Sequence, residues 1–262
     1  MPEPAVAFSV RDGVAHVVLN RPDRANSINS RTARELMAIA LRCDEDPDVR
    51  AVLIRSRGPM FSGGGDLKTF SSRQGDLPAY LKETTTFLHA AISRLVRQSA
   101  PTVCAVHGFA AGGGFSLAIS CDMVIAARSA KFTMAYTRAG LTPDRSSSYF
   151  LPRLVGLRRA MELTLTNRVL TADEALKWGL ISMVVPDSEL RPQSERLAAR
   201  LAAGPTSAFG TAKRLLQEGI SRPLEAQMEL ESRAIADAVR GHDAREGIRA
   251  FLEKRKPRFK GE

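Results

Sequence analysis

The sequence predicts an α/β protein with a mostly helical C-terminal part, and three observations support this fold class. The first half of the chain alternates short apolar runs, typical of buried strands, with segments of helical periodicity. From Tyr149 onward the pattern is mostly helical, and Ile181–Val185 is the one clear strand predicted there. Hydrophobic residues make up 44% of the 262 residues and charged residues 25%, which favours a folded globular protein over a disordered chain.

The N-terminal segment predicts a β-hairpin, a helix and a buried strand. Val6–Val10 and Val14–Leu19 are apolar runs separated by Arg11-Asp12-Gly13, a sequence typical of a turn. Ser30 is a suitable N-cap for the helix that follows. The short apolar run Ala51–Ile54 is typical of a strand that is buried on both faces.

The middle of the chain predicts further strands and helices. Apolar residues recur on one helical face from Pro78 to Arg97. Thr102–Val106 and Met123–Ala127 are typical of buried strands, and Phe115–Ser120 is typical of a short buried helix. We therefore expect the α/β core to occupy residues 1–190.

The last part of the chain, residues 191–262, is predicted to be a separate helical region. Gly204-Pro205 and Arg222-Pro223 would break it into several helices. Its closing segment, Glu253–Lys260, is strongly basic and is expected either to lie in solvent or to approach an anionic ligand.

The net charge of the chain is +10, from 38 Lys and Arg against 28 Asp and Glu. Such an excess is compatible with simple solubility or with a polyanionic partner, which could be nucleic acid, an anionic membrane or a phosphate-rich small molecule. No apolar run approaches the roughly 20 residues that a membrane-spanning helix needs. We therefore expect no membrane partner.

The cysteines and the N-terminus together predict a cytoplasmic protein. Cys43, Cys104 and Cys121 lie in apolar contexts without the spacing of a disulfide framework or a metal site, which is typical of buried thiols in a reducing compartment. The first residues lack the basic segment and apolar stretch of a secretory signal.

Two glycine triplets are the candidate functional motifs. Gly63-Gly64-Gly65 and Gly112-Gly113-Gly114 each follow an apolar strand and precede a segment with helical character. Loops of this kind can direct free backbone N–H groups at one point, as an anion or oxyanion site requires. Either triplet could also be only a tight turn.

Several motif classes are excluded by inspection. The chain contains no G-x-x-x-x-G-K-[ST] phosphate loop, and neither triplet fits the dinucleotide-binding pattern G-x-G-x-x-G followed by an acidic residue. It also lacks the G-x-S-x-G of serine hydrolases and the H-E-x-x-H of zinc proteases. Nucleotide hydrolysis, dinucleotide redox chemistry and these two hydrolytic mechanisms are therefore disfavoured.

Five segments together resemble the crotonase superfamily, which contains the enoyl-CoA hydratases and isomerases. They are RPDRANSIN (21–29), FSGGGDL (61–67), HGFAAGGGFSLAISCD (107–122), KFTMAYTRAGLTPD (131–144) and ADEALKWGLISMVVP (172–186). The resemblance covers essentially the whole chain, and it is more specific than either triplet alone.

The resemblance implies a crotonase-like spiral of ββα units with a helical C-terminal trimerisation region. It also implies a homotrimer or a dimer of trimers, an acyl-CoA thioester as substrate, and no cofactor or metal. The backbone N–H groups of Gly65 and Gly113 would form the oxyanion hole for the thioester carbonyl. Coenzyme A and the acyl group would contact residues matching the family's binding segments, namely Arg24, Ala25, Asn26, Gly63, Asp66, Leu67 and Ser116.

The absence of the two hydratase glutamates from this chain indicates which reaction it catalyses. Hydratases of the superfamily use two glutamates, and the matching positions here hold Ser116 and Tyr136. Neither is a useful base near neutral pH. Asp144 stands where several isomerases carry a proton-shuttling carboxylate, and the surrounding sequence resembles the ring-acyl-CoA isomerases of phenylacetate breakdown. Those usually have glycines just after the aspartate, whereas this chain has Arg145 and Ser146.

Alternatives remain open from the sequence. The same region resembles 4-chlorobenzoyl-CoA dehalogenases, in which Asp144 would be the nucleophile, His89 would activate water and Tyr136 would orient the aspartate. Against this, Gly65 and Leu88 replace bulky aromatic residues of that group's ring cage. A weak hydratase, or a non-catalytic relative that binds acyl-CoA or RNA, is also considered, although the 6% aromatic content makes nucleic acid a poor candidate.

Overall fold

The apolar runs of the first half form one six-stranded sheet in the computed structural model, which describes residues 3–73 and 75–262. The strands are β1 (Val6–Arg11), β2 (Val14–Leu19), β3 (Ala51–Ser56), β4 (Thr102–Val106), β6 (Met123–Ala127) and β9 (Met183–Val185). The sheet has the order β1-β2-β3-β4-β6-β9. Only the hairpin between β1 and β2 is antiparallel, and all other neighbours are parallel.

A second sheet of three short strands has the order β5-β7-β8. The strands are β5 (Phe109–Ala111), β7 (Lys131–Thr133) and β8 (Leu170–Thr171). The expectation of a single strand after Tyr149 was therefore wrong. β8 is only two residues long, and its Thr171 also caps the next helix, so it has no strand periodicity to detect.

Eleven α-helices are assigned in the described residues. They are α1 (Ser30–Glu45), α2 (Leu67–Ser71), α3 (Leu77–Arg97), α4 (Gly113–Ile119), α5 (Ser147–Val155), α6 (Leu157–Thr166), α7 (Ala172–Lys177), α8 (Leu190–Ala202), α9 (Thr206–Gly219), α10 (Leu224–Ala238) and α11 (His242–Leu252). Of these, α1 and α3 pack against each other along their length. None of the described helices is both long enough and apolar enough to span a bilayer.

The predicted elements are confirmed with shifted ends. The N-cap of α1 is Asn29, whose side chain accepts a hydrogen bond from the Thr32 amide at 3.0 Å, and not Ser30, which is the first helical residue. Asn29 and Ser30 are adjacent in the chain and asparagine and serine favour the N-cap position about equally, so the residue types do not decide between them and the backbone conformation does. The short buried helix α4 begins at Gly113, two residues before the predicted start.

The predicted C-terminal region contains helices in two different environments. The first of them, α8, packs on β3 and β4 of the larger sheet and buries Ala198 and Leu201. The later helices α9–α11 leave many large apolar side chains exposed. The helices end near the predicted breaks at Gly204-Pro205 and Arg222-Pro223.

The basic C-terminal segment is attached to α11 by two buried carboxylates. Glu246 accepts hydrogen bonds from the Arg255 guanidinium and from the Arg258 amide. Asp243 accepts from the amides of Lys260 and Gly261, both at 2.7 Å. The segment therefore has a fixed path on the protein surface.

We predict that Gly108→Ala destabilises the fold by several kcal/mol, well beyond the ~1–3 kcal/mol expected for a strained backbone conformation alone. Gly108 has a φ of +58°, and a Cβ there would lie 2.3 Å from the Pro59 carbonyl oxygen. Gly140→Ala is the matched control, because Gly140 has a φ of +69° with open space around it. Urea unfolding of both variants measures the difference. Equal destabilisation would show that the contact with Pro59 is unimportant.

Candidate active site

The two glycine triplets pack directly against each other. The Ser62 amide donates to the Phe109 carbonyl at 3.0 Å, and the Ala111 amide donates to the Ser62 carbonyl at 2.9 Å. A Cβ on Gly64 would lie 2.7 Å from the Ala111 carbonyl oxygen, and one on Gly114 would lie 2.4 Å from the Ser62 Cβ. Glycine is required because any side chain would separate the two loops.

This contact places Gly65 and Gly113 on the wall of one cavity of about 250 Å³. Within the described residues, neither backbone N–H donates a hydrogen bond to protein. The cavity also exposes the side chains of Tyr136, Asp144 and Arg145. Two free amide donors and a carboxylate therefore face the same space.

Asp144 is held in a defined orientation by its neighbours. Its backbone carbonyl accepts hydrogen bonds from the Ser147 amide at 3.1 Å and the Ser147 hydroxyl at 2.8 Å, at the start of α5. Its Oδ1 accepts from the Tyr136 hydroxyl at 2.5 Å. No hydrogen-bond donor is found for Oδ2 among the described residues. One carboxylate oxygen is thus anchored, and the other is available for chemistry.

Tyr136 is a hydrogen-bond donor and not a base in this site. Burial raises the pKa of its phenol well above the ordinary value, and Asp144 raises it further, which together outweigh the lowering effect of the Arg145 charge. The Ser116 hydroxyl lies 2.9 Å from the phenol oxygen and is fully buried behind it. Ser116 therefore supports Tyr136 from the protein side, which differs from the expectation that it lines the pocket.

Arg145 occupies an unusual position beside Asp144. Its side chain is only 3% exposed, and its Nη1 lies 3.4 Å from Asp144 Oδ1. The guanidinium covers Gly113 so closely that a Cβ on that glycine would lie 1.6 Å from Nη1. Both Arg145 and Ser146 have positive φ, of 55° and 62°. The sequence indicated the departure from the family's glycines, but not that the arginine would fold into the cavity.

His89 lies on the other side of this loop. Its exposed side chain accepts a hydrogen bond from the Arg145 amide at Nε2, at 3.2 Å. It lines a second cavity of about 780 Å³ that also includes Asp144 and Arg145. The acceptor role of Nε2 requires the neutral ring with its proton on Nδ1.

Most residues expected to bind coenzyme A lie in or around the first glycine loop, and several of them form hydrogen bonds that hold this loop in place. The Ala25 carbonyl accepts from the Gly63 amide at 2.8 Å. The buried Asn26 amide group donates to the carbonyls of Arg57 and Met60 and so holds that turn in place. Arg24 is exposed.

Asp66 and Leu67 directly follow the first glycine triplet, and of the two only Leu67 lines the cavity. Burial by itself would raise the pKa of Asp66, but hydrogen bonds from the Thr69 amide and from Arg21 outweigh it, and the pKa lies below its ordinary value. The ion pair with Arg21 spans 3.0 Å. Arg21 was not singled out from the sequence, and nothing in its local pattern marks it. Leu67 is exposed at the cavity wall.

Within residues 3–73 and 75–262, no three His, Cys, Asp or Glu side chains are grouped as a metal site would require.

The family model described as enoyl-CoA hydratase/isomerase matches residues 9–262. The chain is 38% identical over 253 residues to 1,2-epoxyphenylacetyl-CoA isomerase from Escherichia coli, covering 96% of this chain and 97% of that protein. It is 35% identical over 232 residues to 4-chlorobenzoyl coenzyme A dehalogenase-2 from Arthrobacter sp., covering 88% and 84%. The crystal structure of enoyl-CoA hydratase from Bacillus anthracis matches with a TM-score of 0.91 at 31% identity, covering 98% and 99%.

These relatives are named for an isomerase, a dehalogenase and a hydratase, so similarity alone does not select a reaction. The match over nearly the full length, together with the paired glycine loops, agrees with the resemblance seen in the sequence. The chain belongs to the enoyl-CoA hydratase/isomerase family of the crotonase superfamily.

Proposed function

We propose that this protein is an acyl-CoA isomerase in which Asp144 moves a proton between two carbons of the acyl chain. The observation that carries the proposal is the free Oδ2 of Asp144. This residue is the one carboxylate among the described residues that line the cavity with Gly65 and Gly113. Isomerisation requires a single base that accepts a proton and returns it, so one carboxylate is sufficient.

In this mechanism the thioester carbonyl oxygen accepts hydrogen bonds from the amides of Gly65 and Gly113. Asp144 Oδ2 removes a proton from carbon 2 of a 3-enoyl-CoA, and the electron pair spreads over the carbonyl and the adjacent double bond. The protonated Asp144 then returns the proton to carbon 4, which leaves the conjugated 2-enoyl-CoA. Each oxyanion donor typically contributes about 10²–10³-fold to the rate of such a reaction.

The polar side chains behind Asp144 have a positioning role. Tyr136 is neutral and has one proton, which it donates to Oδ1. Ser116 in turn contacts Tyr136 and the Gly112 carbonyl. Because the tyrosine holds one carboxylate oxygen, the other is directed at the substrate for both proton transfers.

The alternatives have less support from this geometry. A hydratase mechanism needs a second carboxylate, and Ser116 and Tyr136 occupy the two matching positions. A dehalogenase-like mechanism needs His89 to activate water, but its Nε2 already accepts from the Arg145 amide. We therefore interpret His89 as a residue that holds the loop carrying Asp144.

We further propose that copies of the chain assemble through α9–α11, as the trimer implied by the resemblance would require. Large apolar side chains are exposed on or beside these helices, namely Leu216, Ile220, Leu224, Met228, Ile235, Val239, Ile248, Phe251 and Leu252. Exposed apolar surface of this extent is typical of an interaction site.

Asp144→Asn is expected to lower kcat for 3-enoyl-CoA isomerisation by about 10²–10⁴-fold, because the amide cannot accept the proton. Mass spectrometry of 2-enoyl-, 3-enoyl- and 4-chlorobenzoyl-CoA after incubation distinguishes isomerisation, hydration and chloride release. Thermal unfolding and titration with CoA provide the control for folding and binding. Full isomerase activity of the variant would contradict the proposal.

Tyr136→Phe is expected to lower kcat about tenfold or more with little change in KM, since a hydrogen bond to a charged group typically contributes about 1.5–3 kcal/mol. Ser116→Ala is the matched control, because it removes the other partner of the same hydroxyl and leaves Asp144 anchored. Steady-state kinetics on one substrate compares them. A larger loss in Ser116→Ala would contradict the assigned order of the two residues.

Phe251→Glu is expected to reduce the assembly to smaller species. Phe251 is 83% exposed in the single chain and would be buried in the assembly. Light scattering after size exclusion should give three or six chain masses for the wild type and less for the variant. Leu41→Glu, on α1 outside this surface, should leave the mass unchanged. A monomeric wild type would contradict the proposed assembly.

A further inference from the structure

The guanidinium of Arg145 is a buried cation without adequate partners. Within the described part of the chain its side chain makes no hydrogen bond, and its Nε is fully buried with no acceptor. Among the residues that the structure describes, Asp144 is the one ion-pair partner of Arg145, with its Oδ1 at 3.4 Å from Nη1. Buried guanidinium groups normally satisfy several of their five N–H donors. This group has donors available for a ligand.

The backbone at this position is strained as well. A non-glycine residue in the left-handed region is uncommon, and strain of this kind concentrates at functional sites. Arg145 and the next residue, Ser146, both adopt it. Two neighbouring strained residues that place a cation inside a cavity indicate a role in binding.

Arg145 lies where an acyl group would extend from the thioester. It covers Gly113, one of the two proposed oxyanion donors, and it lines both the 250 Å³ cavity and the larger one of about 780 Å³. An acyl chain that passes from one cavity to the other must therefore pass this guanidinium.

The larger cavity has an excess of positive charge. Arg97 and Arg214 line it, and neither forms an ion pair within residues 3–73 and 75–262. Its Glu218 is already paired with Arg222 at 2.8 Å. The surroundings of Arg145 thus favour an anionic ligand group over an apolar one.

We propose that Arg145 is a specificity-determining residue that binds a carboxylate on the acyl group, so that the preferred substrates are CoA thioesters of short dicarboxylic acids. A guanidinium matches a carboxylate in shape and can donate to both of its oxygens. The acid is short because Arg145 adjoins the thioester position at Gly113. This inference deepens the proposed function and rests on its assignment of Gly113 to the thioester.

Binding of such a substrate would change the partners of Asp144. In the free protein Arg145 has Asp144 as its nearest anion, and the substrate carboxylate would take that place. An apolar acyl chain would instead leave the cation buried without a new partner. A site built to pair a polar group discriminates strongly against analogues that lack it.

The test is the affinity of matched saturated thioesters that cannot isomerise. Isothermal titration should show glutaryl-CoA binding about 10- to 100-fold more tightly than pentanoyl-CoA, and succinyl-CoA more tightly than butanoyl-CoA, as expected for hydrogen bonds between charged groups. Arg145→Gln should remove this preference, and Arg145→Lys should retain only part of it. Ser146→Gly, which relieves backbone strain without a change in charge, should keep the full preference.

Equal affinity of the wild type for the two members of each pair would overturn the inference, and so would an unchanged preference in Arg145→Gln. If Arg145→Gln does not fold, the wild-type comparison and Arg145→Lys still decide. Turnover of hex-3-enoyl-CoA and hex-3-enedioyl-CoA separates this inference from the proposed function. A binding preference without isomerisation of either compound would support the carboxylate site and contradict the isomerase proposal.

Discussion

The close contact between the two glycine loops is the constraint on which the rest of the site depends. Gly64 lies against the Ala111 carbonyl, and Gly114 lies against Ser62, with no room for a Cβ at either glycine. Hydrogen bonds between Ser62 and the second loop fix the distance. The larger sheet brings the two segments together, because β3 and β4 are parallel neighbours, and the short strand β5 lies between β4 and the second triplet. The two free amides on the cavity wall follow from this packing.

The polar side chains around Asp144 determine how its carboxylate is oriented beside the paired glycine loops. Tyr136 and Ser116 are uncharged and buried, with only Tyr136 reaching the cavity wall, so they can orient one carboxylate oxygen without adding charge. Arg145 is the one cation paired with Asp144 in the described part of the chain, and its backbone conformation carries strain that typically amounts to ~1–3 kcal/mol per residue. The strained loop lowers the stability of the fold, but it places the guanidinium of Arg145 inside the cavity. Such a cost is expected where the buried charge binds a group of the substrate.

Much of the fold and part of the site could be predicted from sequence. The hairpin and the buried strands have clear apolar patterns, and the glycine triplets with Asp144 carry the family resemblance. The strand β8 could not be predicted, because two residues have no periodicity. Nor could the attachment of the C-terminal segment to Glu246, or the pairing of Arg21 with Asp66, since partners that are distant in sequence leave no local signal. The direction of the Arg145 side chain depends on the left-handed backbone at that residue.

Ser116 and Tyr136 stand at the positions that match the two hydratase glutamates, and both have hydrogen-bonding roles of their own in this site. Ser116 is fully buried behind Tyr136 and its hydroxyl contacts the phenol oxygen, while the phenol donates its hydrogen bond to Asp144. A glutamate at position 116 would lie beside the Tyr136 hydroxyl, which already donates to Asp144, so a second negative charge would be buried close to the first. Burying an unpaired carboxylate is strongly unfavourable. The serine and the tyrosine therefore belong to an arrangement built around one carboxylate, and water addition by two carboxylates would require several coordinated changes in this pocket.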